Sequence, residues 1–263
     1  MSRLGGIVLL ALASVAAAGC ATGSVDGGYM LLEMGGSIGF ATNAAVAGTV
    51  DIGSGFGQGD RVGAPYGRAE LTSDTGMFGA GVLASAFLYD QQGQGTVSVT
   101  FGDIPANTSV ATDFSIINAK VGVYLSIDVA DTIFIRPGLA LDLFLPDMSV
   151  TATQIGVTET IDDIGGVPLP FVQVGADLGT VSGFLEVGYL PLDSKDLNLG
   201  SDYDVRSETL DVEAMVRVRP TEYLDLFVGY RLFALELRGR VDTDTVDFDV
   251  DLSGFMFGGG VYW

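Results

Sequence analysis

The stretch Leu210-Asp211-Val212-Glu213-Ala214-Met215-Val216-Arg217-Val218-Arg219 decides the fold. Leu210, Val212, Ala214, Val216 and Val218 share one parity, and Asp211, Glu213, Met215, Arg217 and Arg219 share the other. Because a strand sends successive side chains to opposite faces, this segment presents one oily surface and one charged surface. The pattern recurs at 117–128 (INAKVGVYLSID), where Ile117, Ala119, Val121, Val123, Leu125 and Ile127 oppose Asn118, Lys120, Gly122, Tyr124, Ser126 and Asp128. It returns in IFIRPGLALDLFL (133–145) and MLLEMGGSIGF (30–40). Each run has about the 9–11 residues that a tilted strand needs to cross a bilayer.

Composition fits a protein with one oily and one wet face. The 263-residue chain is 48% hydrophobic, 17% charged and rich in glycine (38 residues), with a net charge of −21. Its mean hydropathy is +0.43. Beyond the first few positions no apolar run reaches 18 residues, which excludes a bundle of membrane helices. Twelve basic against 33 acidic residues would repel phosphate backbones, so nucleic acid is excluded as a partner. A single cysteine, Cys20, rules out an intramolecular disulfide, and there is no histidine.

The opening MSRLGGIVLLALASVAAAGC has a basic start at Arg3, an apolar stretch from Leu4 to about Ala16, and small residues before Cys20. That is the layout of an export signal over 1–19, too short for a permanent span. Ala17-Ala18-Gly19-Cys20 also resembles a lipobox, which implies lipidation of Cys20, with Ala21 next to it suiting the outer membrane. Ordinary cleavage after Ala18 is the alternative. Residues 20–28 then read as a periplasmic leader.

Alternation predicts about ten strands, near 29–42, 65–73, 76–90, 112–128, 131–147, 167–179, 181–192, 204–219, 222–240 and 245–263; eight or twelve remain open. Four connections are tight (SDTG 73–76, VADT 129–132, LGTV 178–181, RPTE 219–222). They alternate with longer ones, among them the glycine-rich 48–67, expected as a mobile outer loop. Strict alternation of loop length by side is the habit of an up-and-down transmembrane β-barrel.

Over residues 29–263 the chain therefore resembles the bacterial outer-membrane β-barrels, all-β and antiparallel. The resemblance implies that Phe255, Phe257, Val261 and Trp263 form the terminal signal read by the barrel-assembly machinery, with Gly259 departing from the apolar rule. It also implies outer-membrane lipid as a partner and both termini in the periplasm. In the last strand, Val246, Phe248, Val250 and Leu252 have the parity opposite to Phe255, and a bulge near Ser253 and Gly254 would reconcile them.

Charges on the other face then point into the lumen. Centring one hairpin on Thr221 sets Arg217 opposite Asp225 and Asp211 opposite Arg231. Centring the last between Thr243 and Asp244 sets Arg240 opposite Asp247 and Arg238 opposite Asp249. Lys120, Arg136, Asp142, Asp177, Glu186, Glu33, Arg68 and Glu70 are assigned inward as well. Small residues at Gly35, Ser37, Gly39, Gly79, Gly81, Gly122, Gly138 and Gly229 would leave a thin path.

The barrel enzymes of this class use a histidine, and none exists here, so a non-catalytic role is expected. No cofactor is expected: the acidic stretches at 158–166, 201–204 and 242–247 read as solvated outer loops, and binding of Ca²⁺ or Mg²⁺ is the alternative, although 242–247 lacks the glycine and terminal glutamate of a dedicated calcium loop. Three functional readings follow. One is a structural or surface-exposed barrel with a charged, largely filled lumen. Another is a narrow channel for small polar or cationic solutes. The last is a soluble exported β-sandwich anchored by lipid on Cys20.

Overall fold

A computed structural model describes residues 21–41, 48–74, 77–130, 132–161, 165–193, 203–241 and 244–263. Cys20 and the segment before it lie outside these. The described elements are β1 (Ala21–Ala41), β2 (Thr49–Asp51), helix α1 (Ile52–Phe56), β3 (Val62–Asp74), β4 (Phe78–Val97), β5 (Thr108–Ala130) and β6 (Ile133–Ala152). β7 (Val157–Ile161), β8 (Gly165–Asp177), β9 (Val181–Asp193), β10 (Tyr203–Val218), β11 (Leu224–Val241) and β12 (Asp244–Tyr262) complete them.

Ten strands form a closed antiparallel ring in the order β12-β11-β10-β9-β8-β6-β5-β4-β3-β1, with β1 pairing back onto β12. The short β2 and β7 flank β1 and β6. Around the terminal half every strand is bonded on both sides, the condition for crossing hydrocarbon with strands. It also removes the sandwich alternative. The seam is bonded to the last residue: Trp263 N–H donates to Gly23 O at 3.0 Å and Gly23 N–H to Trp263 O at 2.9 Å. Gly23 is required there, since a Cβ would lie 2.5 Å from the Trp263 ring.

The ring begins earlier than the sequence pattern predicts. Residues 21–28 belong to β1, in register with Ser73–Tyr66 of β3, so they are barrel wall and not a leader. Small and polar residues (Gly23, Ser24, Asp26, Gly27) hide the alternation.

Outward side chains near the end that carries Ala21 and Trp263, here called the terminal end, are apolar. Val121, Val123 and Leu125 on β5, Val172 and Val174 on β8, Leu226 and Val228 on β11, and Phe255 and Phe257 on β12 are all exposed. On β5 this belt runs from Ile117 to Val129. A rise of about 3.4 Å per residue and a tilt of about 45° make it roughly 30 Å tall, the thickness of a hydrocarbon core. Toward the opposite, distal end the outward residues turn polar: Asp90, Gln92 and Gln94 on β4, Asp147, Ser149 and Thr151 on β6, and Glu236 and Arg238 on β11. The strands of 18 to 20 residues that carry these positions are longer than one crossing needs.

The expected bulge at Ser253 and Gly254 is absent: both neighbours of β12 keep continuous register through it. Phe248, Val250 and Leu252 therefore point inward with Met256, and all four are buried. The region 48–67 is not a loop throughout either. It holds β2, α1 and the start of β3, because Val50, Ile52 and Phe56 are fully buried in the distal lumen.

Several inward glycines are seats for neighbouring side chains rather than gaps. A Cβ on Gly138 would sit 2.4 Å from Phe171 Cζ, one on Gly81 2.3 Å from Tyr124 Cζ, and one on Gly229 2.5 Å from Met256 Cε. Gly35, Ser37 and Gly39 carry the outward parity of Glu33 and line no path. Gly138→Ala should thus lower stability by about 1–3 kcal/mol through overpacking. Gly63→Ala, with nothing within 4 Å of its Cβ, should leave it unchanged. Urea unfolding in detergent micelles compares the two, and equal midpoints would contradict the packing described.

Candidate functional site

Inward parity at the terminal half of the ring gathers side chains that are far apart in sequence. From β3, Arg68 donates through Nη1 to Glu213 Oε1 of β10 and through Nη2 to Glu186 Oε2 of β9, both at 3.0 Å. Lys120 of β5 pairs with Glu186 and, at 2.6 Å, with Asp211 Oδ2. Arg231 of β11 holds Asp211 through Nε and Nη2, each at 3.1 Å, and reaches Asn118 Oδ1 at 3.0 Å. Asn118 in turn donates to Asp142 Oδ1 at 2.6 Å, and Tyr66 to Glu213 Oε1 at 2.8 Å. Arg136 pairs with Glu70 and donates to Gln173 Oε1 at 3.1 Å.

Nearer the mouth, Arg217 bonds Asp26 Oδ2 at 2.7 Å and Arg219 bonds Asp177 Oδ2 at 2.8 Å. The Phe184 ring lies between guanidiniums, 4.6 Å from Arg68 and 5.2 Å from Arg217. Six of the chain's twelve basic residues (Arg68, Lys120, Arg136, Arg217, Arg219, Arg231) are spent here. Buried carboxylates demand this, because an ion taken out of water without a partner costs several kcal/mol.

Above this layer the lumen is apolar. Phe144 stacks on Phe233 with centroids 5.7 Å apart and meets Phe248 edge-on at 6.1 Å. Higher still, α1 lies across the distal lumen with Phe56 packed 5.3 Å from Phe101 and 5.5 Å from Phe114. Polar latches hold it. The Gln58 side chain, fully buried, donates to Thr112 Oγ1 at 2.9 Å, and Thr112 donates to Phe56 O at 2.7 Å. Asp51 caps α1 by accepting from Ser54 N–H and Oγ–H, both at 2.7 Å, and these bonds, the hydroxyl's first, hold its carboxyl below the usual range.

Of the residues singled out by sequence, Asp211, Arg217, Asp225, Arg231, Lys120 and Arg136 face the lumen, as do Arg68, Glu70, Asp142, Asp177 and Glu186. Their pairing differs by two residues from the expectation. Arg217 stands opposite Phe227 and Arg231 opposite Glu213, so Arg231 reaches Asp211 diagonally and Asp225 meets Arg219 instead. The turn is wider than a tight hairpin because the Thr221 hydroxyl accepts from Leu224 N–H at 3.2 Å.

Arg238, Asp247 and Asp249 are not lumen residues. They lie on the outward face of the distal half, where Arg238 pairs with Asp247 at 3.1 Å, directly opposite it in register. Arg240 is opposite Thr245, not Asp247, and its side chain is outside the described residues. Glu33 also faces outward, bonded to Arg61 at 2.9 Å. Glu213, Tyr66, Asn118 and Gln173 were not assigned to the network from sequence. Glu213 and Asn118 had a signal, Glu213 by its place between Asp211 and Arg217 on one face and Asn118 by sharing the polar face with Lys120.

Phe255, Phe257, Val261 and Trp263 all project outward. Among the described residues no group of three or more acidic or cysteine side chains is arranged to hold a metal. Parts of the three acidic stretches fall outside those residues.

No protein-family description and no curated protein matches the chain. Solved structures do. The outer membrane protease OmpT of Escherichia coli superposes with a TM-score of 0.55 at 7% identity, over 92% of this chain and 97% of that one. The attachment invasion locus protein Ail of Yersinia pestis (TM-score 0.31, 9% identity, 92% and 99% covered) is a looser match. So is the translocator domain of autotransporter NalP from Neisseria meningitidis (0.36, 10%, 98% and 94%). The first likeness bears on fold, and the fold is that of the outer-membrane β-barrels.

Arg231→Met should destabilise the barrel by about 3–5 kcal/mol, because Asp211 and Glu213 lose a buried partner. Arg238→Met, on the exposed face, should leave the unfolding midpoint where it is. The reverse ranking would place the ionic layer on the wrong surface.

Proposed function

We propose that this protein resides in the bacterial outer membrane as a closed barrel of structural or surface-presenting role, and that it passes no solute through its lumen. The observation that carries this reading is the stacking of two different seals in one lumen: the buried ionic layer around Arg68, Lys120 and Arg231, and the aromatic layer around Phe144 and Phe233. A conducting path would have to break multiply bonded charges and also wet an apolar plug. Ten strands stand near the filled end of the size range, since about 16–18 are needed for a broad aqueous channel.

A non-catalytic role is part of the proposal. It is supported by the absence of histidine from the sequence and by the engagement of most buried carboxylates with basic partners, which leaves few of them free for acid or base work.

The rest concerns placement. The terminal end faces the periplasm, and the polar distal half rises beyond the outer leaflet. Supporting this are the short connections at the terminal end and the position of Tyr223 and Trp263 at the rim of the apolar belt, where amphipathic rings favour the interface. An export signal over 1–19, lipidation at Cys20, and reading of Phe255, Phe257, Val261 and Trp263 by the barrel-assembly machinery complete the proposal. Cys20 would then stand one residue before the wall of β1, at the level of the inner leaflet.

Planar bilayers test the closed lumen: the reconstituted protein should give no unitary current steps, and steady steps would favour the channel reading. The belt is tested by folding into lipid vesicles. Leu125→Arg should cost about 2–4 kcal/mol, whereas Ser149→Arg on the distal exterior should be silent.

A further inference from the structure

The terminal mouth of the lumen contains a cavity of about 80 Å³ between the rim and the ionic layer. Its wall combines three carboxylates (Glu70, Asp177, Asp225) with three guanidiniums (Arg136, Arg217, Arg219). Several of these groups lack hydrogen bonds although they are buried: both carboxylate oxygens of Asp225, Nε of Arg217 and Nε of Arg219. Arg219 Nε lies 3.3 Å from Asp225 Oδ1, close enough to attract it but out of line for donation. Buried polar atoms left in this condition cost about 1–3 kcal/mol each, so they are nearly always bridged.

We propose that the cavity is a hydrated vestibule, occupied by a cluster of ordered water molecules that bridge Asp225 to Arg217 and Arg219. The fixed charges on its wall balance, three against three, so neither a cation nor an anion is selected. Water, both donor and acceptor, matches unpartnered oxygens and N–H groups in one wall. At about 30 Å³ per molecule in the liquid, the cavity holds at least two. The vestibule opens only to the terminal side, because Arg68 with Glu186 and the Phe184 ring close its inner end. This one-sidedness rests on the closed-lumen reading above.

Two inward serines test it. Ser182 lines the cavity, and Ser85 lies inside the ionic layer, opposite Arg68 and Lys120 in register and bonded by Arg231 Nη1 at 3.3 Å. In a Cys20→Ser background, a small cationic methanethiosulfonate should modify Ser182→Cys at least about tenfold faster than Ser85→Cys, since thiol modification follows access to solvent. On the unmodified chain, X-ray radiolysis, which generates hydroxyl radicals from bound water in place, should oxidise Phe184 and spare Phe144, although the two are 7% and 6% exposed. Phe184 unoxidised with Ser182→Cys inert would overturn the vestibule and leave the closed barrel standing. Ser85→Cys as reactive as Ser182→Cys would overturn the closed lumen itself, and the one-sided vestibule with it. The radiolysis arm decides the matter even where a cysteine variant fails to fold.

Discussion

The structure depends on the fixed alternation of side chains along a strand, set against a solvent that changes partway up the wall. A strand cannot exchange its faces without a bulge, and β12 has none where its chemistry changes. The two faces therefore swap character in place. In the terminal half Phe255 and Phe257 look out and the lumen is ionic. In the distal half Asp247 and Asp249 look out, and Phe248 and Val250 fill the lumen. The same inversion marks β11, where Val228 outside and Arg231 inside give way to Glu236 outside and Phe233 inside. One set of strands is thus built to two specifications: a membrane barrel below, and above it a water-facing extension with a packed core.

That inversion explains how the charge is managed. With 33 acidic and 12 basic residues, the chain has too few cations to pair every carboxylate. Distal acids such as Asp90, Asp147 and Asp249 need no partner because water solvates them. Acids behind the hydrocarbon belt have no such recourse, and there the basic residues concentrate. Arg68 alone serves Glu70, Glu186 and Glu213. Sharing of this kind ties β3, β9 and β10 across the lumen, which the ladder hydrogen bonds, running only between neighbours, cannot do.

Most of the architecture was legible in the sequence because it follows from period two. The ten strands and the inward placement of Lys120, Arg136, Asp211, Arg217, Asp225 and Arg231 come from parity alone, and the closed ring from the alternation of short and long connections between those strands. What parity does not carry is which face is wet at a given height. Val246-Asp247-Phe248-Asp249-Val250 alternates as well as Leu210–Val218 does, and nothing within it says that its apolar side faces a core. Hence Arg238, Asp247 and Asp249 were placed inside. Partner identity was similarly hidden, since a two-residue change in register preserves parity while moving Arg217 from Asp225 to Phe227. Glycine concealed the remainder. Gly93 and Gly95 interrupt the alternation of β4 because the backbone of α1 lies against them, where a Cβ would come within 2.5 Å of Phe56 O and 2.0 Å of Gly55 O.

The position of α1 bears on what the distal half can present to its surroundings. Were 48–67 a mobile loop, the far end of the barrel would be an open cup with adaptable edges. Instead Phe56 is clamped between Phe101 and Phe114, and Gln58 is bonded into β4 and β5, so the cup is filled and its wall is braced from within. In the proposed surface-presenting role, contact with a partner would fall to the outward side chains of the distal strands, which sit on a hydrogen-bonded ladder and would lose little freedom on binding. On the proposed function, this rigid acidic exterior would serve as a platform for recognition rather than an entrance. In that proposal the packed distal core joins the ion pairs below it in separating the surface-presenting reading from the channel reading.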